Sequence, residues 1–308
     1  MDGILVVAKP VGPTSHDIVG LIRRLSATKR VGHGGTLDPF ASGVLPIFLG
    51  KATRLVEYHV GDRKRYRATV CFGASSTTDD LEGDLTPSTG PAPSREAVET
   101  ALGAFRGPIR QRPPDYSAIK VAGRRAYAMA RAGQPIELQP REVTIHAIDI
   151  TSWDDSDPER PVAVVDVECS AGTYVRSLAR DLGAAVGNAA YLGALVRTAS
   201  GHFDLDAAID VETIRAAAAD APDALERLLL PVDAGLDELP RLSADADTIA
   251  ALVRGQMASL DAGEEPPAEG PILVVDDSGR LVAVATLQDG RLAPDKVLVE
   301  LAATPGPS

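Results

Sequence analysis

The chain has 308 residues, 44% of them hydrophobic and 24% charged, with 31 Lys/Arg against 43 Asp/Glu and a formal net charge of −12. A chain of this length buries a sizeable core without disulfide or metal staples and fits one large domain plus a small one, or two medium domains. Cys71 and Cys169 lie in separate strand-like runs, Met1 leads into no secretory pattern, and no apolar run reaches the roughly 20 residues that cross a bilayer, so a reduced, cytoplasmic protein that meets no membrane is expected.

In chain order, Gly3–Ala8 reads as a buried strand ended by Lys9-Pro10-Val11-Gly12-Pro13. Thr14 or Ser15 can cap a helix to about Leu25, with Ile18, Leu21, Ile22 and Leu25 on one face. The stretch 29–41 is Gly-rich and too polar for core, and Gly43–Leu49 is a second buried segment. Tyr66–Phe72 reads as a strand, 74–93 as a polar, turn-rich loop, and Ser94 as the cap of a helix through Ala104. Residues 107–125, rich in Arg, Pro and Gly, suggest an irregular insertion, followed by a short helix near Ala126–Ala132. Val143–Ile150 and Val162–Cys169 are strand candidates, and Tyr174–Val186 is a helix with an apolar stripe. Residues 190–206 are extended and 207–230 helical. Pro231–Pro240 reads as a linker to a small, mainly β module with a helix near Ala246–Arg254 and strands near Ile272–Asp276, Leu281–Leu287 and Val297–Leu301. The fold class is therefore α+β, with a mixed or antiparallel sheet, flanking helices and a small C-terminal domain.

The charge is unevenly spread. Residues 1–70 carry 11 Lys/Arg against 5 Asp/Glu, residues 71–94 carry 4 acids and no base, and residues 201–308 carry 21 acids against 7 bases. An acidic total thus leaves room for a basic face that meets phosphates. Gly32-His33-Gly34-Gly35 lacks the third glycine of a dinucleotide fingerprint, Gly50-Lys51-Ala52 lacks the glycine and hydroxyl of a phosphate loop, and the five histidines have no metal-ligand spacing.

Gly32–Pro46 reads GHGGTLDPFASGVLP. Asp38 stands before Pro39, which biases it away from helix, and among glycines that permit tight turns and close approach of a ligand. Taken alone, Leu37-Asp38-Pro39 is an ordinary turn. The whole window, however, resembles the active-site motif of the TruB-type family of tRNA pseudouridine synthases, matching at Gly32, His33, Gly35, Leu37, Asp38, Pro39, Ala41, Gly43, Val44, Leu45 and Pro46. Further likenesses follow in family order: Lys9-Pro10-x-Gly12, Lys64-Arg65-Tyr66, Tyr116–Lys120 with Gly123–Tyr127, Gly172–Leu178, and Tyr191-Leu192 through Arg197-Thr198 to Phe203. Ala189 and Ala190 stand where many members have a histidine. The likeness covers about residues 3–205.

The resemblance implies a pseudouridine-synthase-like catalytic domain over 1–230, with an RNA-clamping insertion at about 107–141, and a small PUA-like RNA-binding domain over 241–302. It implies isomerisation of uridine 55 in the TΨC stem-loop of tRNA without cofactor, metal, guide RNA or protein partner, by a monomer. Asp38 would be the nucleophile, paired with Arg176 at a helix start where the dipole also favours an anion. Tyr66 would stack on the base, Tyr174 and Leu192 would line the pocket, and His33 would touch displaced nucleotides. Lys9, Lys64 and Lys120 would bind substrate, with Arg23, Arg24, Lys29, Arg30, Arg63, Arg65, Arg110, Arg112, Arg124 and Arg125 as further backbone contacts. The alternatives are a non-catalytic RNA-binding or RNA-folding module and a guide-dependent synthase.

Overall fold

A computed structural model describes residues 1–116, 138–221, 223–259 and 270–299, with backbone also at 120–121, 124–125 and 129. The first part runs β1 (Gly3–Lys9), α1 (Ser15–Leu25), β2 (Val31–His33), β3 (Ser42–Leu49), α2 (Val56–Val60) and β4 (Lys64–Phe72). A hairpin of β5 (Ala74–Ser76) and β6 (Leu85–Pro87) follows, then α3 (Arg95–Leu102), β7 (Gly107–Gln111), and two short strands, β8 (Lys120–Val121) and β9 (Arg124–Arg125). The sheet resumes with β10 (Arg141–Asp154) and β11 (Val162–Cys169), then α4 (Val175–Ala185), β12 (Ala190–Ser200), β13 (Phe203–Asp204), β14 (Ile209–Asp210) and α5 (Val211–Asp220). The chain ends in β15 (Arg241–Ser243), α6 (Ala246–Val253), β16 (Ala258–Ser259), β17 (Pro271–Val275), β18 (Leu281–Gln288) and β19 (Arg291–Val297).

The main sheet is ordered β14-β1-β3-β12-β4-β11-β10-β7, with β2 on β3 and β13 on β12. β12 is the hinge of this topology, running parallel to β3 and antiparallel to β4. Its register sets Arg197 beside both Gly43 and Tyr66, so three segments named in the motif meet at one point of the sheet. The strand β1 is apolar at nearly every position because both of its faces are covered. Leu5 and Val7 join the core under α1, α3 and α4, while Ile4 and Val6 pack with Val44, Phe48 and Phe203 on the other side. Thr14 caps α1 in a reciprocal box with Asp17, which frees Ser15 for another task.

The second sheet is ordered β15-β17-β18-β19-β16, with Leu252 of α6 buried against it. Four expectations change. The stretch 29–41 does reach the core, where Val31, Leu37, Phe40 and Ala41 are buried. Residues 107–111 are not irregular: they form the edge strand β7, paired to β10, because Ile109 can pack inward while Pro108 and Arg110 stay exposed at an edge. Residues 231–240 are not a free linker, since Leu236 is buried with Leu55, Leu273 and Leu281 between the two sheets. The last strand spans Arg291–Val297 rather than starting at Val297. Of the helix expected near 126–132 only residue 129, which is helical, is described, and 300–302 lie outside the described residues.

Candidate active site

The motif loop between β2 and β3 is pinned from several sides. The buried Ser15 hydroxyl accepts from Leu37 N (2.8 Å) and donates to Leu37 O (3.0 Å), tying the start of α1 to the residue before Asp38. Gly12 N donates to Pro39 O at 2.8 Å, and Ala41 N donates to Asp38 O at 3.1 Å. Gly43 takes φ +105°, and a Cβ there would sit 2.2 Å from Arg197 O, so the close approach of β12 to the loop exit requires glycine.

Asp38 faces Arg176, the second residue of α4, with Oδ2 3.0 Å from Nε. The Asp38 side chain keeps 37% of its surface open toward a cleft, whereas that of Arg176 keeps 7%. The rest of the guanidinium is committed: Nη1 donates to Thr78 O (3.2 Å) and lies 3.1 Å from Asp80 Oδ2, and Nη2 donates to Tyr116 O (2.9 Å). Burial pushes the Asp38 carboxyl above its ordinary range. Arg176 opposes this, Asp80 reinforces it, and Lys9 opposes it again.

Asp80 was not singled out by sequence reasoning, which read 74–93 only as a polar loop. It is buried, and it accepts from Thr78 Oγ1 and from Glu82 N at 3.0 Å. The available signal was four acids in 71–94 with no basic neighbour in sequence. Such carboxylates find their cation elsewhere in the fold, and two of them do: Asp80 meets Arg176 and Asp79 meets Arg180 at 2.7 Å.

The cleft of about 300 Å³ is lined by Gly34–Asp38, Val60, Lys64, Tyr66, Ser170–Arg176, Leu195 and Arg197. It therefore gathers Asp38, Tyr66, Tyr174 and Arg176. The Tyr66 phenol is held above its ordinary pKa by burial, with Arg197 pulling the other way. Tyr174 precedes α4, and the buried Gln111 clasps its backbone, accepting from Tyr174 N (2.8 Å) and donating to Tyr174 O (3.0 Å). His33 is half-buried beside the loop, its Nδ1 accepting from Gly35 N at 3.2 Å, and burial with nearby Arg197 keeps its pKa low.

Other expected residues sit differently. Leu192 is fully buried in the core, its backbone N donating to Asp79 O at 3.0 Å, and Leu195 takes the cleft wall instead. Lys9 is buried, with Nζ donating to Pro10 O (2.9 Å), Pro13 O (2.7 Å) and Pro39 O (3.4 Å), and burial lowers its pKa to about 8. Its ammonium braces the motif loop from below. Lys64 is also buried, its pKa lowered to about 8, and it donates to Asp62 O (2.8 Å) while touching the cleft. The side chains of Lys120, Arg124 and Arg125 lie outside the described residues. Arg23, Arg24, Lys29, Arg30, Arg63, Arg65, Arg110 and Arg112 are exposed.

Two family models match the chain. The TruB family pseudouridylate synthase N-terminal domain matches residues 23–175, and the tRNA pseudouridylate synthase B C-terminal domain matches residues 176–237. The small sheet from Arg241 onward lies beyond both. Curated relatives called tRNA pseudouridine synthase B include one from Bradyrhizobium diazoefficiens, 43% identical over 99% of this chain and 88% of the relative. Another from Dehalococcoides mccartyi is 42% identical over 99% of both chains. Among solved structures, a chain of a Cbf5–Nop10–Gar1 complex superposes with a TM-score of 0.72 at 25% identity, covering 97% of this chain and 85% of the other. On this identity and coverage, together with the motif geometry around Asp38, the chain belongs to the TruB family of pseudouridylate synthases.

Proposed function

We propose that this protein isomerises uridine to pseudouridine in tRNA, at position 55 of the TΨC loop, and that it acts without a guide RNA. The observation that carries the reading is the Asp38–Arg176 pair, 3.0 Å apart at the floor of an open cleft that also holds Tyr66. The cleft volume, about 300 Å³, suits one extruded nucleoside and not a duplex. The domain reading assigns this chemistry to 1–230 and RNA binding to a PUA-like module over 241–302.

In this reading the target uridine leaves the loop stack and enters the cleft beside Tyr66, whose ring offers a stacking face. Ionised Asp38 meets the sugar and base as nucleophile or charge stabiliser. The N1–C1′ bond breaks, the uracil turns, and C5 bonds to C1′. C5 then loses its proton and N1 gains one, so atoms and electrons balance without an external oxidant or reductant. Arg176 keeps Asp38 anionic in a site that burial would otherwise drive toward the neutral acid. Tyr174 and Leu195 close the walls and help exclude water.

The test is release of tritium from tRNA labelled at uridine C5, incubated with purified protein and no added guide. Wild type is expected to release label stoichiometrically with one uridine, mapping to position 55. Asp38→Asn is expected to bind tRNA with near-normal affinity and release none, since the amide keeps the shape and removes the anion. Turnover only after addition of a guide RNA, or substantial turnover by Asp38→Asn, refutes the reading.

A further inference from the structure

Among the described residues Arg197 is the largest fully buried side chain, 1% exposed, and within the same set its guanidinium pairs with no carboxylate. A buried arginine ordinarily pairs with an acid, because an unpaired charge is costly in a low-dielectric interior. Here the partners are backbone carbonyls: Nε donates to Val44 O (2.7 Å), Nη1 to Thr36 O (3.3 Å) and Nη2 to Gly35 O (3.1 Å). Two of these lie in the motif loop two and three residues before Asp38, and the third lies in β3 just after it. Tyr66 lies directly across the β12–β4 pair from Arg197, and the guanidinium charge opposes the upward shift of the Tyr66 phenol. The sheet register explains the convergence, for β12 sets Arg197 between Gly43 and Tyr66.

We propose that Arg197 is a positioning residue for the isomerisation, its planar fork holding the backbone that carries Asp38 in one frame with the Tyr66 phenol. The inference rests on the isomerase reading above. Three carbonyl acceptors in a fixed fan match a guanidinium and not an ammonium, whose single nitrogen cannot reach β3 and the loop together. Loss of the fork leaves Asp38 with its Arg176 partner but lets the loop drift relative to Tyr66. Near-attack geometry tolerates little of this, a displacement on the order of 1 Å costing about 100-fold in rate.

The experiment uses the full chain carrying Arg197→Lys, Tyr66→Phe and the double substitution. Filter binding gives tRNA affinity, thermal melting reports folding, and single-turnover tritium release reports chemistry. Arg197→Lys is expected to stay folded and to bind tRNA within about threefold of wild type, because phosphate contacts supply the affinity. Its single-turnover rate is expected to fall at least about 100-fold. The double variant is expected to lose less than the product of the two single losses, because both act through one frame. A rate within about threefold of wild type, or fully multiplicative losses, overturns the proposal. Collapse of the fold in Arg197→Lys also overturns it, since that assigns the guanidinium to stability. A wild-type chain that releases no tritium overturns the isomerase reading instead, and this one with it.

Discussion

At the scale of single residues, the site is a contest between desolvation and two cations, Arg176 foremost and Lys9 behind it. Crowding lifts the Asp38 pKa above the 3.8 of a free aspartate, and Arg176 recovers only part of the shift. The anion is the working form, so the acid limb of kcat/KM is expected to fall with a midpoint above 3.8, and single-turnover rates measured from about pH 4 to pH 8 check this. A midpoint at or below the free value would mean the carboxylate is not the titrating group. The same upward shift means that folding stability contributed by the protonated carboxyl is present below 3.8 and is lost as pH rises through the folded pKa, so ionised Asp38 is a cost the fold bears for activity. Arg176 offers its fork to Asp38, Asp80, Thr78 O and Tyr116 O at once. Arg176→Lys can satisfy one or two of these, and its turnover is expected to drop at least about 100-fold, as measured in the tritium assay; near-wild-type kinetics would show that the guanidinium is dispensable.

At the scale of elements, the motif loop is stiff because α1, β3 and β12 each hold one side of it. Ser15 fixes Leu37, and Arg197 fixes Gly35 and Thr36. Gly43 allows β12 to approach, so Gly43→Ala must both adopt φ +105° and move a backbone carbonyl that would lie 2.2 Å from its Cβ. The expected outcome is a loss of more than about 1 kcal/mol in urea denaturation, with activity lost alongside. A Gly43→Ala variant as stable as wild type would show that β12 can yield. Helix α4 is held as firmly at the other side of the site. Gln111 clasps Tyr174, and both Ser177 Oγ (2.8 Å) and Arg180 Nη2 (2.9 Å) donate to Arg112 O. The strand leading into the 112–137 segment is thereby bolted to the helix that presents Arg176.

At the scale of the molecule, a net charge of −12 coexists with a reading as an RNA enzyme because the acids concentrate after residue 200. Exposed Arg24, Lys29, Arg30, Arg65 and Arg110 belong to the basic first half. tRNA affinity is expected to fall steeply with salt, log K against log[salt] sloping by roughly −0.7 to −0.9 per phosphate neutralised, as filter binding across a salt series would show. A flat response would remove the basic face from the account. The acidic C-terminal sheet is not adrift from the catalytic part. Tyr58 Oη donates to Asp295 at 2.7 Å, Lys296 pairs with Glu57 at 2.8 Å, and Arg54 donates to Val297 O. Leu55 completes an apolar contact between the sheets. Among the described residues no helix is long and apolar enough to cross a membrane.

Most strands and the helices at 15–25 and 175–185 were legible in the chain, because each rests on local signals: alternation or continuous apolarity, or a capping threonine. The Asp38–Arg176 pair, which joins distant segments, was legible only through the family resemblance of the motifs around each residue. Asp80, the exchange of Leu192 for Leu195 at the cleft wall, and the buried duties of Lys9 and Arg197 were not. Each depends on which strand lies beside which, and on the bulge in β12 between Leu192 and Ala194 that changes which side chains face the cleft. A lysine or arginine in a string of letters looks like a surface charge. Only the packed sheet decides that its partners are carbonyls, because those that Arg197 meets come from segments more than a hundred residues away.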